Sequence, residues 1–247
     1  MMRNSDMRMF FFDFDGTLSS LVEDRRAAKL NPSARELLRF LAATSDCIVA
    51  VLSSRPLDDL VKRVPVSGVF LGGCSGVEWR LPAGDRLAPP KMLRQQLLQV
   101  RQIHLQRIGE LVSLAGAELE EKQWSVAVHT RLLSTSVKQM LGICLTRWCA
   151  MNGLRLYRGP EVLELHFLPQ IHKGYGVQEL CGYVGFDPGK DRLYYAGDDE
   201  NDAVAMKWVL EQGGIVFSIG DVPLVDGAYP LDGPESLAQA VKLVVGY

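Results

Sequence analysis

The chain lacks the apolar run that a membrane span or a secretion signal requires. Its opening hydrophobic stretch, Met9 to Phe12, is only four residues long before Asp13 interrupts it, so the sequence predicts a soluble, unexported protein with no membrane partner. A basic excess is missing too. Lys and Arg number 27 against 29 Asp and Glu, for a formal net charge of −2. The cations are scattered rather than striped, which leaves nothing to neutralise a polyphosphate backbone and argues against nucleic acid as a partner. Cysteine pairing is absent as well. Cys47, Cys74, Cys144, Cys149 and Cys181 form an odd set with no CxxC pair. Cys47, Cys144 and Cys181 lie in apolar surroundings that suit buried thiols, and the set as a whole fits a reducing cytoplasm. His104, His129, His166 and His172 show no metal-ligand spacing, so no zinc site is expected. There is no internal repeat and no low-complexity tract. What remains is an ordinary globular composition, 47% hydrophobic and 23% charged over 247 residues, enough for one large domain or two modest ones.

Along the chain, "MFFFDFDGTL" opens as a buried strand. The helix-starting "NPSARELL" leads a helix from Pro32 to Ala43, and "CIVAVLSS" is a second apolar strand, together a β-α-β unit. "RPLDDLVKRV" reads as a helix and "GVFLGGCSG" as a short strand, an alternation that argues for a parallel sheet covered on both faces. The rhythm stops at the Pro- and Gly-rich "LPAGDRLAPP", where a boundary is expected. A long helix from about Met92 to Leu114 follows. Next come "AELEEKQWSVAVHTRL" as one bent strand or two, a helix from about Thr135 to Met151, and the strands "LRLYRG" and "VLELHFL". This pattern suggests a small α+β insert with an antiparallel sheet. From "HKGYG" the βα rhythm resumes and completes the first sheet. The expectation is a doubly wound α/β core, residues 1–85 and 170–247, with an inserted domain over 86–169.

The chemistry is carried by where acidic residues fall. Alternation along a strand lets Asp13 and Asp15 converge while Phe14 packs behind them. Gly16 permits a tight turn, and Thr17 brings a hydroxyl and an N–H suited to an anion. A second acidic cluster, Asp198, Asp199 and Asp202 in "GDDEND", also follows a predicted strand, and parallel sheets gather strand C-termini at one ligand-binding edge. That much like charge calls for a hard, oxygen-seeking cation such as Mg²⁺. Ser53 ends the second apolar strand with a hydroxyl, and Lys173, at a helix start, offers the positive charge that offsets a phosphoryl group. Read singly, Ser53 is a helix cap, Lys173 a surface charge and "GDDEND" a turn. Four such signals at matching strand ends point instead to phosphoryl chemistry.

In order and spacing, "DFDGTL", the serine of "VLSSRP", the lysine of "HKGYG" and "GDDEND" resemble the four motifs of the haloacid-dehalogenase-like phosphatases. The resemblance implies that Asp13 is the nucleophile and Asp15 the general acid/base. It also implies that Ser53 and Lys173 bind the phosphoryl group, and that Asp13, Asp198 and the Asp15 carbonyl hold Mg²⁺ with help from Asp199 and Asp202. The insert between the second and third motifs is similar to a C2-type cap, a mobile domain that closes over substrate.

Within the insert, "GAELEEKQWSVAVHTR" and "VLELHFLPQIHKG" resemble the cap of trehalose-6-phosphate phosphatases, which implies that Glu120, Lys122 and Glu164 contact the sugar. "SSRPLDDL" and "GCSGVEWRLPAG" look like core segments of the same family. The implied activity is Mg²⁺-dependent hydrolysis of trehalose 6-phosphate to trehalose and phosphate by a cytoplasmic monomer or weak homo-oligomer. Three departures bear on the disaccharide: Ser54 stands where glycine is usual, Ser75 where histidine is usual, and "GDDEND" lacks the family's threonine-aspartate ending. Glucosyl- or mannosyl-3-phosphoglycerate, sucrose phosphate and a phosphosugar mutase reaction stay open.

Overall fold

In β1 (Arg8–Phe12) a period of two sends Phe10 and Phe12 to one side and Met9 and Phe11 to the other, and all four are buried. A strand achieves that only inside a sheet covered on both faces. The structure, a computed structural model, describes residues 6–22, 25–159 and 161–246. After β1 come α1 (Pro32–Ala43), β2 (Cys47–Leu52), α2 (Leu57–Arg63), β3 (Phe70–Gly73), β4 (Glu78–Arg80) and β5 (Arg86–Leu87). α1 begins where the Asn31 side chain accepts the N–H of Ser33 at 2.8 Å with Pro32 at the first helical position, a strong start signal.

The insert contributes α3 (Lys91–Leu114), β6 (Glu118–Glu121), β7 (Ser125–His129), α4 (Thr135–Met151), β8 (Arg155–Gly159) and β9 (Val162–His166). The chain then continues through α5 (Lys173–Val184), β10 (Arg192–Gly197), α6 (Glu200–Glu211), β11 (Ile215–Ile219), β12 (Tyr229–Leu231) and α7 (Pro234–Val245). Two compact units result, one running up to Ala88 and again from His172, the other Pro89–Ile171.

In the first unit an eight-stranded sheet has the order β12-β11-β10-β1-β2-β3-β4-β5. β12 through β3 are parallel, while β4 and β5 add an antiparallel edge. The sequence reading missed β4, β5 and β12, none longer than three residues, too short for any periodicity to register. Phe10 and Phe12 join Leu37, Leu38 and Leu41 of α1, Leu57 and Leu60 of α2, and Leu237 and Val241 of α7. Phe11 and Met9 join Val177 and Leu180 of α5 with Met206 and Val209 of α6. The doubly wound arrangement is therefore the direct result of a central strand that is apolar on both sides.

The second unit holds an antiparallel sheet, β6-β7-β9-β8. The ambiguous "AELEEKQWSVAVHTRL" is two strands, with α3 packed on β6 and α4 on β8. Cys144 departs from expectation: it is exposed on α4, and Cys47 is only half-buried, whereas Cys181 is buried. Cys144 lies on the outer face of α4 with the exposed apolar side chains of Met140 and Ile143, while Leu141, Gly142, Leu145 and Cys149 take the inner side. All five cysteines are free. Among the described residues no helix is long and apolar enough to cross a membrane.

One helix offers an internal comparison. A Cβ on Gly176 of α5 would lie 2.5 Å from the Ser75 carbonyl oxygen and 2.9 Å from the Gly76 Cα, whereas one on Gly182 would meet nothing within 4 Å. Gly176→Ala should cost about 1–3 kcal/mol by forcing backbone apart, and Gly182→Ala should gain about 0.4–1 kcal/mol through lower unfolded-state entropy. Urea denaturation of both variants checks the opposite signs.

Candidate active site

The register of the parallel strands brings the predicted residues to one level. Phe12 of β1 lies opposite Ala196 of β10 and Val51 of β2, so Asp13, Asp198 and Ser53 all emerge just past adjoining strand ends. The Asp13 N–H bonds the Ala196 carbonyl at 2.9 Å, carrying the ladder one residue further. This is the switch point of the sheet, with β2 and β3 following on one side of β1 and β10, β11 and β12 on the other, the place where ligands bind in open parallel sheets.

Asp13, Asp198 and Asp202 offer carboxylate oxygens all within 4.8 Å of one another. Lys173, the first residue of α5, lies among them, its Nζ 2.8 Å from Asp13 Oδ1 and 2.6 Å from Asp202 Oδ1. Asp202 is wholly enclosed. Its Oδ1 also accepts the Tyr195 hydroxyl at 2.6 Å, and its Oδ2 accepts the N–H groups of Asp198 and Asp199 at 3.1 and 3.2 Å. Asp199 is the N-cap of α6, with Oδ1 accepting the Asn201 and Asp202 N–H groups. Two glycines clear the space: a Cβ on Gly16 would fall 2.0 Å from Asp198 Oδ2, and one on Gly197 would fall 2.2 Å from Asp202 Cγ.

So crowded a set of carboxylates resists ionisation. Burial, followed by repulsion from Asp202, Asp198 and Asp199, raises Asp13 well above the ordinary aspartate range against the pull of Lys173. Asp198 is pushed up to about 8, by burial first and then by Asp202 and Asp199. Burial and Asp202 push Asp199 up to about 7, Lys173 opposing. Burial alone would lower Lys173, yet Asp13, Asp202 and Asp199 hold its ammonium form well above the usual lysine value. Only one ammonium faces so many carboxyls, so they cannot all ionise without a further positive charge. All-oxygen donors, close spacing and that need together fit a small divalent cation such as Mg²⁺.

The remaining predicted residues divide. Thr17 and Ser53 are buried. Ser53 Oγ accepts the Arg55 N–H at 3.1 Å, while Thr17 Oγ1 is buried with no hydrogen-bond partner among the described residues. A hydroxyl left so is costly unless a ligand completes it. Asn201 Oδ1 is in the same condition; sequence reasoning passed over it inside "GDDEND", where its polarity was the available signal. The Asp15 carboxylate does not join the Asp13 group. Both its oxygens accept bonds from Arg55, at 2.6 and 2.7 Å, a partner the sequence reading did not assign. His172, expected to be structural, caps α5 by accepting the Tyr175 N–H at 3.0 Å.

In the insert, Glu120, Ala127, Glu164 and Tyr157 are successive partners across β6, β7, β9 and β8. They therefore share one face, with small Ala127 between the two glutamates. Lys122 Nζ and Ser125 Oγ both donate to Glu164 Oε1, at 3.0 and 2.8 Å, and Glu120 pairs with His129 at 3.0 Å. The alternate positions Leu119, Val126, Val128 and Leu165 form the apolar face, the side on which a Cβ at Gly109 of α3 would reach Leu119 at 4.0 Å. Trp124 is buried, so it serves as a core anchor, and its ring is not open for stacking on a sugar.

A doubly wound sheet with paired aspartates at its central strand, a second acidic cluster beside it and an antiparallel α+β insert defines the haloacid-dehalogenase-like class. The C-terminal domain of trehalose-6-phosphate phosphatase from Candida albicans shares this fold, with a TM-score of 0.79 over 98% of this chain and 93% of that one at 18% identity. Within that class, the chain belongs to the trehalose-phosphatase family, whose model matches residues 11–229. A trehalose-phosphate phosphatase of Mycobacterium tuberculosis is 37% identical over 239 residues, covering 93% of this chain and 59% of the relative. The one from Mycobacterium leprae is 33% identical over 208 residues, covering 79% and 43%. The chain thus spans about half the length of the curated relatives it matches.

The raised aspartates make a thermodynamic prediction. A carboxyl whose folded value exceeds its unfolded value of about 4 stays protonated in the folded state while the unfolded state ionises. Its stabilising contribution is complete below about 4 and is lost as pH rises through its folded value, about 7 for Asp199 and about 8 for Asp198. Metal-stripped protein should therefore melt at progressively lower temperature between about pH 4 and 8. Added Mg²⁺ should raise the melting temperature most at the alkaline end, and Asp198→Asn should flatten the slope. Calorimetry with and without Mg²⁺ measures each.

Proposed function

We propose that this chain is a phosphoric monoester hydrolase that cleaves a sugar phosphate, foremost trehalose 6-phosphate to trehalose and phosphate, with Mg²⁺ as cofactor. The observation that carries the reading is the convergence of Asp13, Lys173, Asp198 and Asp202 at the switch point, next to strand ends that also bear Ser53 and the Thr17 hydroxyl, which has no partner among the described residues. Family membership and the two relatives support the substrate.

In this mechanism Asp13 attacks phosphorus, forming an aspartyl-phosphate as the bond from phosphorus to the sugar oxygen breaks. Asp15 delivers a proton to that oxygen, then takes one from the water that hydrolyses the intermediate and restores Asp13. Lys173 offsets the negative charge of the phosphoryl oxygens, and the Ser53 and Thr17 hydroxyls donate to them. Mg²⁺, held by Asp13, Asp198 and the Asp15 carbonyl, would neutralise the carboxylates and draw charge from the phosphoryl group. Asp199 and Asp202 support that site through the α6 cap and the β10 end. Glu120, Lys122 and Glu164 read the sugar: each carboxylate can accept two hydroxyls, and a lysine can donate to an oxygen.

Phosphate release from a panel comprising trehalose 6-phosphate, sucrose 6-phosphate, glucosyl- and mannosyl-3-phosphoglycerate and an aryl phosphate tests the proposal. Trehalose 6-phosphate should be turned over fastest, chelator should abolish release, and Asp13→Asn should remove the attacking charge and with it the activity. Near-parental turnover by Asp13→Asn, or full activity in chelator, sinks the mechanism. Isomerised sugar phosphate in place of free phosphate would indicate a mutase.

Specificity has its own test. A hydrogen bond to a charged group is worth about 1.5–3 kcal/mol, so Glu164→Ala should lower kcat/KM on the sugar phosphate by roughly ten- to hundredfold. An aryl phosphate makes no such contact, so its kcat/KM should fall far less. Equal losses on both substrates would mean that Glu164 supports the insert's structure rather than recognition.

A further inference from the structure

Asp15 stands just past the end of β1 with a carboxylate that is 30% exposed. Left to itself, such a group rotates freely and presents its oxygens in many directions. Here it is gripped on both. Arg55 Nε donates to Oδ2 at 2.7 Å and Nη2 to Oδ1 at 2.6 Å, the fork-on-fork geometry that fixes a carboxylate plane as well as its place.

The guanidinium is itself immobilised. Arg55 is 3% exposed, with its Cζ 5.5 Å from the centroid of the Phe14 ring and its Nη1 bonded to Asp59 Oδ2 at 2.7 Å. Its backbone is held at both ends, the N–H to Ser53 Oγ at 3.1 Å and the carbonyl by the Cys74 N–H at 2.7 Å. Asp59, on α2, also accepts Arg63 Nε at 2.9 Å, and Arg63 Nη1 donates to the Ala28 carbonyl at 2.6 Å. An ion pair with one member open to solvent adds little stability. A buried arginine braced on several sides for that return has a better explanation in the residue it holds.

We infer that Arg55 is a positioning residue that orients the Asp15 carboxylate for proton transfer, with Asp59 as the brace that keeps the guanidinium aimed. Each Asp15 oxygen gives one acceptor site to the fork and keeps another. The proton carried there moves to the sugar oxygen as the phosphorus–oxygen bond breaks, and is replaced from the attacking water. This rests on the proposed acid/base role of Asp15.

Loss of orientation falls hardest on a leaving group that needs the proton. Sugar alkoxides do; an aryloxide leaves with little help. With Mg²⁺ present, Arg55→Ala should lower kcat on the panel's best sugar phosphate about tenfold or more beyond its effect on the aryl phosphate, with KM changed much less. Arg55→Lys keeps the charge but not the fork and should show the same selective loss. Asp59→Asn should show a smaller one. Millimolar guanidinium should restore part of the Arg55→Ala rate. A thermal melt confirms folding; if Arg55→Ala fails to fold, the other two variants carry the comparison. Equal losses on both substrates, or a loss confined to KM, overturns the inference. Asp15→Asn separates the two claims. If it too lacks leaving-group selectivity, the acid/base role of Asp15 fails. If it is selective while the Arg55 and Asp59 variants are not, only the positioning role fails.

Discussion

A single ammonium buried among carboxylates is the interaction on which the rest of this structure depends. Taking charges out of water costs several kcal/mol per ion, and Lys173 recovers that cost by touching Asp13 and Asp202 at once. Asp202 in turn accepts the Tyr195 hydroxyl and the N–H groups of Asp198 and Asp199. The same carboxylate therefore fixes the end of β10, the cap of α6 and the start of α5. Removing any of these partners strands a buried charge, so the site and the core around it are one construction.

Lys173 alone does not offset every carboxyl around it. Asp13 and Asp198 are held back from ionisation by burial and by each other, a state that a hard cation reverses. Asp15, only two positions along, belongs to another electrostatic neighbourhood and is matched to Arg55. Two aspartates with the same intrinsic chemistry thereby stand in different surroundings, one among carboxylates and a lysine, the other on a guanidinium. In the insert, Glu164 and Lys122 neutralise one another on a polar sheet face, so the face carries hydrogen-bonding groups without a large net charge.

Much of this was legible in the residues. The runs "MFFF", "CIVAVL" and "RLYYA" read as buried strands because they are apolar on both faces, and their ends carry Asp13, Ser53 and Asp198. Strong caps and breakers set the helices: α1 and α4 occupy the segments expected, Pro32–Ala43 and Thr135–Met151. The three-residue β4 and β12 had no period to read, and Cys144 was misjudged because the outer face of α4 also carries exposed apolar residues, Met140 and Ile143, so an apolar stretch did not mean burial.

By itself, then, the sequence determined which segments are buried, where they stop and which chemical groups stand at their ends, since periodicity and turn chemistry are local properties. Only the tertiary structure decided the pairings: Lys173 with Asp13 and Asp202, Arg55 with Asp15 across 40 positions, Lys122 with Glu164 across 42. Contacts at such separations depend on strand order, register and rotamer, which arise from the packing of the whole sheet and are written in no local stretch of residues.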